Sequence, residues 1–167
     1  MTYLTEALNP KHRKNEFSCG KEILNDYLYY QANQDIKRKL SACFVMTDKE
    51  TDLIKGYYTL ANNSIPLSLV PADLRKNLPK SYISIPTTLL GRLAIDKRFQ
   101  GQGVGKILLI DALKRSYDIA KTIGSFAVVV DHLDIDAENF YIKYGFIILP
   151  DSKKMFLAMK TIGCLFK

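Results

Sequence analysis

The segment richest in chemistry is Arg98-Phe99-Gln100-Gly101-Gln102-Gly103-Val104-Gly105-Lys106. Glycines at 101, 103 and 105 let the backbone curl tightly and leave no Cβ between the chain and a bound group. The cluster stands between an apolar run and an amphipathic one, so it reads as a turn from a strand into the start of a helix. There the first N–H groups lack helical partners and the helix dipole is positive. Such a turn holds a phosphate or pyrophosphate, with Arg98 and Lys106 available to add charge. Two familiar phosphate patterns fail on spacing. A nucleoside-triphosphate loop needs G-x-x-x-x-G-K-[ST], but Gly101 and Gly105 are one residue too close and Ile107 follows Lys106. A dinucleotide loop needs G-x-G-x-x-G; here the third glycine comes one position early, and the cluster lies past mid-chain rather than after a first strand.

The flanking pattern supplies elements to position this loop. Thr87 to Ile95 reads as a strand ending at Asp96, and a helix is expected from about Val104 to Lys121. On the helical wheel Asp111, Lys114, Arg115, Asp118 and Lys121 form one stripe. Leu108, Leu109, Ala112, Leu113, Tyr117 and Ala120 cover the opposite side. Phe126 to Val130 is continuously apolar, as suits a strand covered on both faces. Strand, helix and strand from Leu89 to Val130 make a βαβ unit, so the two strands should be parallel with a right-handed crossover.

Earlier, a helix is expected over roughly 19–34, with Ser18 as N-cap and Glu22 in the first turns. Strands at 42–46 and 53–60 form a hairpin about Lys49–Asp52. Pro66, Pro71, Pro79 and Pro86 mark an excursion carrying one short helix near Pro71–Asn77. Later, Asp136 is expected to cap a short helix bearing Ala137, Phe140, Tyr141 and Tyr144, which Gly145 ends. Strands follow at Phe146–Leu149 and Met155–Met159. The result is an α/β chain with a mixed sheet.

Composition bounds the function. At 167 residues, 47% hydrophobic and 25% charged, the chain is expected to form one globular domain, 1–167. No apolar run approaches the roughly 20 residues that cross a bilayer, and Met1 to Glu6 lacks the build of a secretory signal, so a cytoplasmic location is expected. Cys19, Cys43 and Cys164 form no paired motif and read as free thiols. Two histidines, His12 and His132, are too few for a typical metal site, and no metal is expected. The net charge of +7 favours an anionic partner, a coenzyme or a nucleic acid, though a plain solvated surface accounts for it too. The same two readings apply to Lys11-His12-Arg13-Lys14, Lys37-Arg38-Lys39, Arg75-Lys76 and Lys153-Lys154.

Arg98-x-x-Gly101-x-Gly103, between Leu93-Ala94-Ile95-Asp96 and Val104-Gly105-Lys106-Ile107-Leu108-Leu109, resembles the [QR]-x-x-G-x-[GA] signature of the GNAT acetyltransferase superfamily. Asn139-Phe140-Tyr141-Ile142-Lys143-Tyr144-Gly145-Phe146 is similar to its late N-x-x-[FY]-Y-x-x-x-G-F element, except that the aromatic pair directly follows Asn139. The likeness covers roughly residues 40–160. It implies a mixed, mostly antiparallel twisted sheet flanked by helices, with two central parallel strands splayed around acetyl-CoA. By the same likeness, the backbone of Leu93, Ala94 and Ile95 bonds the pantetheine arm. Arg98 and the amides of Gln100, Gly101, Gln102, Gly103, Val104, Gly105 and Lys106 hold the pyrophosphate, and Asn139 binds the far side of the cofactor. Tyr141 protonates the leaving thiolate, with Tyr144 as its rival; either also serves as a core aromatic. For the amine's base the candidates are Asp131 and His132, which also suit loop caps, a water-mediated base, or none where the amine arrives neutral.

Phe17-Ser18-Cys19-Gly20, Leu24-Asn25-Asp26-Tyr27-Leu28, Gln31-Ala32, Gly56-Tyr57-Tyr58-Thr59-Leu60 and Gly91-Arg92-Leu93-Ala94 resemble the acetyltransferase toxins of bacterial toxin–antitoxin pairs. Asn25 stands where that subgroup has an acidic residue. This likeness implies acetylation of the α-amino group of aminoacyl-tRNA, a translation block, and neutralisation by a ribbon–helix–helix antitoxin. It also admits a homodimer, for which no stretch of sequence marks an interface. Arg92 is then a candidate contact to the acceptor, or a structural ion pair. Two other readings stay open: a GNAT enzyme for a small amine or a protein N-terminus, and a non-catalytic acyl-CoA-binding module.

Overall fold

The computed structural model describes residues 2–131 and 134–167, so His132, a candidate base, lies outside the described residues. Seven strands, β1 (Glu6–Ala7), β2 (Ala42–Thr47), β3 (Ile54–Pro66), β4 (Ser84–Ile95), β5 (Ala127–Asp131), β6 (Ile147–Ile148) and β7 (Lys154–Ala158), form a sheet in the order β1-β2-β3-β4-β5-β7-β6. It is mostly antiparallel, with β4 and β5 the parallel pair. By internal contacts the chain divides into two units. The first is Met1–Ala61 with Leu90–Arg115, and the second is Asn62–Leu89 with Ser116–Lys167.

In the first unit β2 lies antiparallel between β1 and β3, with Glu6 opposite Val45 and Cys43 opposite Thr59. Chain reversal at Asp48–Asp52 is closed by Asp52 N–H to the Asp48 carbonyl, 2.8 Å. One continuous helical stretch follows α1 (Glu22–Asp26) through a π-helical turn, Tyr27–Gln31, into α2 (Ala32–Lys37). Its apolar face buries Tyr27, Leu28 and Ala32 against Phe17, Val45, Tyr57 and Ala94. Each large side chain so buried contributes about 1.5–3 kcal/mol. Ser18 does not cap this helix. Its N–H donates to Asp96 and its carbonyl accepts from Lys97, while the residue before the helix, Lys21, makes no side-chain cap.

The helix α4 (Val104–Ala120) starts in the first unit. Its Asp111 and Arg115, placed on a solvent stripe by periodicity, are instead tied to the N-terminal strand. Asp111 is 6% exposed and accepts from Leu4 N, Thr5 Oγ1 and Tyr58 Oη at 2.7, 2.5 and 2.7 Å. Arg115 donates to the Thr5 carbonyl at 2.8 Å and stacks on Tyr3 and Phe44. Gly56 has no alternative: a Cβ there would sit 2.8 Å from the Ala94 carbonyl and 3.0 Å from Leu108 Cδ2.

In the second unit, Ile65, Val70, Ile85, Val129, Leu149 and Phe156 make a separate core. β5 pairs antiparallel with β7, Ala127 opposite Ala158 through Asp131 opposite Lys154, and β7 pairs with β6. The proline-marked stretch holds α3 (Ala72–Arg75), with Pro71 as its N-cap. The helix α5 (Ile135–Lys143) is capped by Asp134, not Asp136: the Asp134 carboxylate accepts from Ala137 N at 2.9 Å. Gly145, at φ +94, follows that helix, and α6 (Met159–Gly163) leaves β7. Among the described residues, no helix is long and apolar enough to cross a membrane.

Candidate active site

The glycine-rich turn opens where β4 ends. Asp96, 1% exposed, caps a 3-10 turn at Lys97–Phe99, accepting from the Arg98 N–H at 2.9 Å. All five amides from 96 to 100 are used: Asp96 N to the Lys55 carbonyl, Lys97 N to that of Ser18, Arg98 N to the Asp96 carboxylate, Phe99 N to the Asp96 carbonyl, and Gln100 N to that of Lys97. The next six are different. Among the described residues nothing accepts a hydrogen bond from the amides of residues 101–106, and helical bonding resumes with Ile107 N to the Gly103 carbonyl. Gly101 and Gly103 both have φ +78, a conformation that costs an L side chain about 1–2 kcal/mol. A Cβ at either would meet nothing within 4 Å, so the space in front of this turn is open. Lys106 is exposed and makes no ion pair with a described residue. Six adjacent donors at the positive end of a 17-residue helix, with a cation beside them, suit a diphosphate.

Arg98 does not reach into that space with its whole fork. Its Nε and Nη2 donate to the two Asp96 oxygens at 2.8 and 2.9 Å, and Nη2 also donates to the Glu16 carbonyl at 2.8 Å. Burial alone would raise the Asp96 pKa; Arg98 and the amides of Ser18 and Arg98 reverse this and hold it below the ordinary carboxylate value. The Gln100 amide nitrogen donates to the carbonyls of Cys19 and Ile95 at 2.9 and 2.8 Å. Gln102 donates to the Arg98 carbonyl at 3.2 Å.

A cavity of about 180 Å³ adjoins the turn, lined by Cys19, Lys21, Leu24, Leu93, Ala94, Ile95 and Gln100. Three consecutive strand residues cannot line a cavity with side chains on one face, so it runs along the edge of β4, where peptide groups point. Because Asp96 N–H and the Ala94 carbonyl face β3, alternation turns the peptide groups of Leu93 and Ile95 toward the other edge. Sequence reading did not single out Cys19, Lys21 and Leu24 as cavity residues, although Gly20, at φ +92, marked an unusual turn there.

Arg92 forms no ion pair with a described residue. Its guanidinium carbon sits 3.5 Å from the centroid of the Tyr27 ring. The Tyr27 hydroxyl in turn donates to Asp35 at 2.7 Å, and its pKa is pushed up to about 12 by burial and by that bond. Tyr27 also stacks on Tyr57, 6.4 Å away.

In the second unit, Asn139 is exposed on α5. Tyr141 is 6% exposed, wedged between the rings of Phe140 and Phe146 at 5.3 and 5.2 Å. Its hydroxyl makes no hydrogen bond with a described residue, and burial raises its pKa, so it keeps its proton at neutral pH. Tyr144 packs on Phe140, with Lys143 Nζ 5.6 Å from its ring centroid. Asp131 is not a loop cap: it ends β5 and accepts from Lys154 Nζ at 2.8 Å. No group of His, Cys, Asp and Glu among the described residues is placed to hold a metal.

Of the basic clusters, Lys37-Arg38-Lys39 is exposed, with no side-chain hydrogen bond to a described residue, and Arg38 lies in the field of Asp35. Elsewhere Arg13 bonds Glu16 and the Thr51 carbonyl, Lys14 the Tyr29 carbonyl, Arg75 the Ser68 carbonyl, and Lys154 Asp131.

Comparison with known proteins bears on the same residues. The family described as acetyltransferase (GNAT) domain matches residues 39–148. A tRNA-acetylating toxin of Mycobacterium tuberculosis (strain ATCC 25618 / H37Rv) is 37% identical over 150 residues, covering 89% of this chain and 87% of the toxin. The solved structure of AtaT complexed with acetyl-methionyl-tRNAfMet superposes with a TM-score of 0.88 at 28% identity, covering 98% of each chain. A tyrosine-to-phenylalanine mutant of AtaT, bound to the C-terminus of the antitoxin AtaR and acetyl-CoA, gives 0.80 at 26% identity, over 98% of this chain and 97% of that one. A glycine turn that leaves six peptide nitrogens open at a helix start is thus found in a chain that belongs to the GNAT acetyltransferase family.

Proposed function

We propose that this protein transfers acetyl from acetyl-CoA to the α-amino group of aminoacyl-tRNA, and that it acts as the toxin of a toxin–antitoxin pair, blocking translation. The carrying observation is the run of unpartnered amides from 101 to 106 at the start of α4. The relatives supply the acceptor: one is a tRNA-acetylating toxin and another holds acetyl-methionyl-tRNAfMet. The family match draws on stretches of both units, which supports reading 1–167 as one catalytic domain. A cytoplasmic location goes with this reading, since charged tRNA and acetyl-CoA are found there. A ribbon–helix–helix antitoxin is the expected partner, by the example of AtaT with AtaR. The exposed Lys37-Arg38-Lys39 suits the tRNA backbone, whose binding is largely electrostatic.

Acetyl-CoA supplies a thioester that the amine attacks, with a thiolate as leaving group. The amides of 101–106, with Lys106, grip its diphosphate. The outward peptide groups of Leu93 and Ile95 align the pantetheine arm along the β4 edge, and Asn139 touches the cofactor from α5. Arg92, its guanidinium over the Tyr27 ring and within the field of Asp35, offers its N–H groups to the acceptor. Tyr141 gives its proton to the leaving sulfur, a role that its protonated and unbonded hydroxyl supports.

The test is transfer of labelled acetyl to a pool of all charged tRNAs. Incorporation is expected, and Tyr141→Phe should lower kcat by about 10²–10⁴ while leaving coenzyme A affinity in place. No incorporation on any charged tRNA, with turnover of a polyamine or peptide instead, would move the assignment to a small-amine or N-terminal acetyltransferase. Cofactor binding with no thiol released by any amine would leave only a binding module.

A further inference from the structure

We infer that Gln100 and Asp96 are positioning residues that join the diphosphate turn to the wall of the β4-edge cavity, and that Gln100 does not contact the phosphates. The inference rests on the acetyltransferase reading. Gln100 has one amide nitrogen with two hydrogens, and both are spent, on the Cys19 and Ile95 carbonyls at 2.9 and 2.8 Å. The side chain's remaining polar atom is a carbonyl oxygen, which an anion repels. The backbone N–H of Gln100 is taken as well, by the Lys97 carbonyl at 3.4 Å, so the residue has another role.

That role is visible in what the bonds connect. Residues 16–19 and 96–100 are stitched at four places. Arg98 donates to the Glu16 carbonyl, Ser18 N to the Asp96 carboxylate, Lys97 N to the Ser18 carbonyl, and Gln100 to the Cys19 carbonyl, at 2.8, 3.0, 2.8 and 2.9 Å. The stitched segment leads straight into α1, and Cys19, Lys21 and Leu24 form one side of the cavity whose other side is the β4 edge. Gln100 touches both sides at once, through Cys19 and Ile95. The buried Asp96 carboxylate fixes the turn at one end and Ser18 at the other. Shape is thus shared: holding the turn holds the cavity wall, and filling either stiffens both. By linkage, donor binding and the geometry offered to the acceptor then move together.

Acetyl-pantetheine, a donor without a diphosphate, separates this role from a phosphate contact. With the full chain and charged tRNA, Gln100→Ala should lower kcat/KM roughly 10-fold with acetyl-CoA and by a similar factor with acetyl-pantetheine, because the cavity wall is disturbed in both. Gln100→Glu, which sets a carboxylate against two carbonyls, should lower both at least as far. Both are substitutions at an exposed position, and a thermal melt checks that each variant is folded. A loss confined to acetyl-CoA, or no loss with either donor, overturns the inference. Hydrogen exchange gives a second readout. Coenzyme A should slow exchange of amides 16–21 in the unaltered chain and less so in Gln100→Ala; equal protection also overturns it. Calorimetry keeps the two levels apart: an unaltered chain that does not bind coenzyme A sinks the acetyltransferase reading itself. Binding followed by the wrong donor pattern sinks only the coupling.

Discussion

Residues 96–100 and 101–106 are neighbours in one turn, yet they are built in opposite ways. In the first stretch every amide has an acceptor, and the side chains of Asp96, Arg98 and Gln100 are bonded to the chain as well. In the second no amide has one among the described residues, and two of the six residues take up positive φ. One stretch is a bracket and the other is left open. The polar side chains of Asp96, Arg98 and Gln100 belong to the bracket, and the open donors are peptide nitrogens.

That contrast can be broken at either side. Removing the charge at the centre of the bracket should have the largest effect. Asp96→Asn leaves Arg98 without its partner and should destabilise the chain by about 2–4 kcal/mol, short of a fully buried pair because Arg98 is half exposed. Chemical denaturation measures it, and a change under 1 kcal/mol would mean that Asp96 is no hub. The open stretch should be hurt through conformation: Gly103→Val, strained at φ +78 where a Cβ meets no atom within 4 Å, should weaken coenzyme A binding about 10-fold and lower the melting temperature by only about 2–8 °C. Unchanged affinity would show that the turn does not need its shape. The smallest effect comes from acid. The folded-state pKa of Asp96 lies below its ordinary value of 3.8, so its contribution is intact above that value and fades as pH falls below it. Asp96→Asn should therefore flatten the acid limb of the stability profile. An unchanged limb would assign it to other carboxylates.

Much of this was legible in sequence, because much of it is local. Period and turn chemistry located α4 within a residue of its observed end, and placed β2 and the β4–α4–β5 crossover. Glycine spacing located the open turn. What escaped was decided by partners far along the chain. Ser18 has the chemistry of an N-cap, but Asp96, 78 residues away, takes its N–H. Asp111 falls on a polar stripe because a helical wheel cannot include Thr5 and Tyr58. Asp134 outcompeted Asp136 by two residues, a choice between equal carboxylates that only backbone geometry makes. Arg98 and Gln100 look like phosphate ligands in a motif, and only the position of residues 16–19 shows that they also bond the Glu16 and Cys19 carbonyls.

The knot of Leu4, Thr5, Tyr58, Asp111 and Arg115 has a consequence for synthesis. Its members at the two ends are separated by more than a hundred residues, 107 from Leu4 to Asp111 and 110 from Thr5 to Arg115. At roughly 5–20 residues per second, the leading strand waits on the order of 5–20 s at the ribosome before its fastening is translated. Throughout that interval the first residues lack the carboxylate and the guanidinium that fasten them, and the helix whose start carries the open amides is still incomplete.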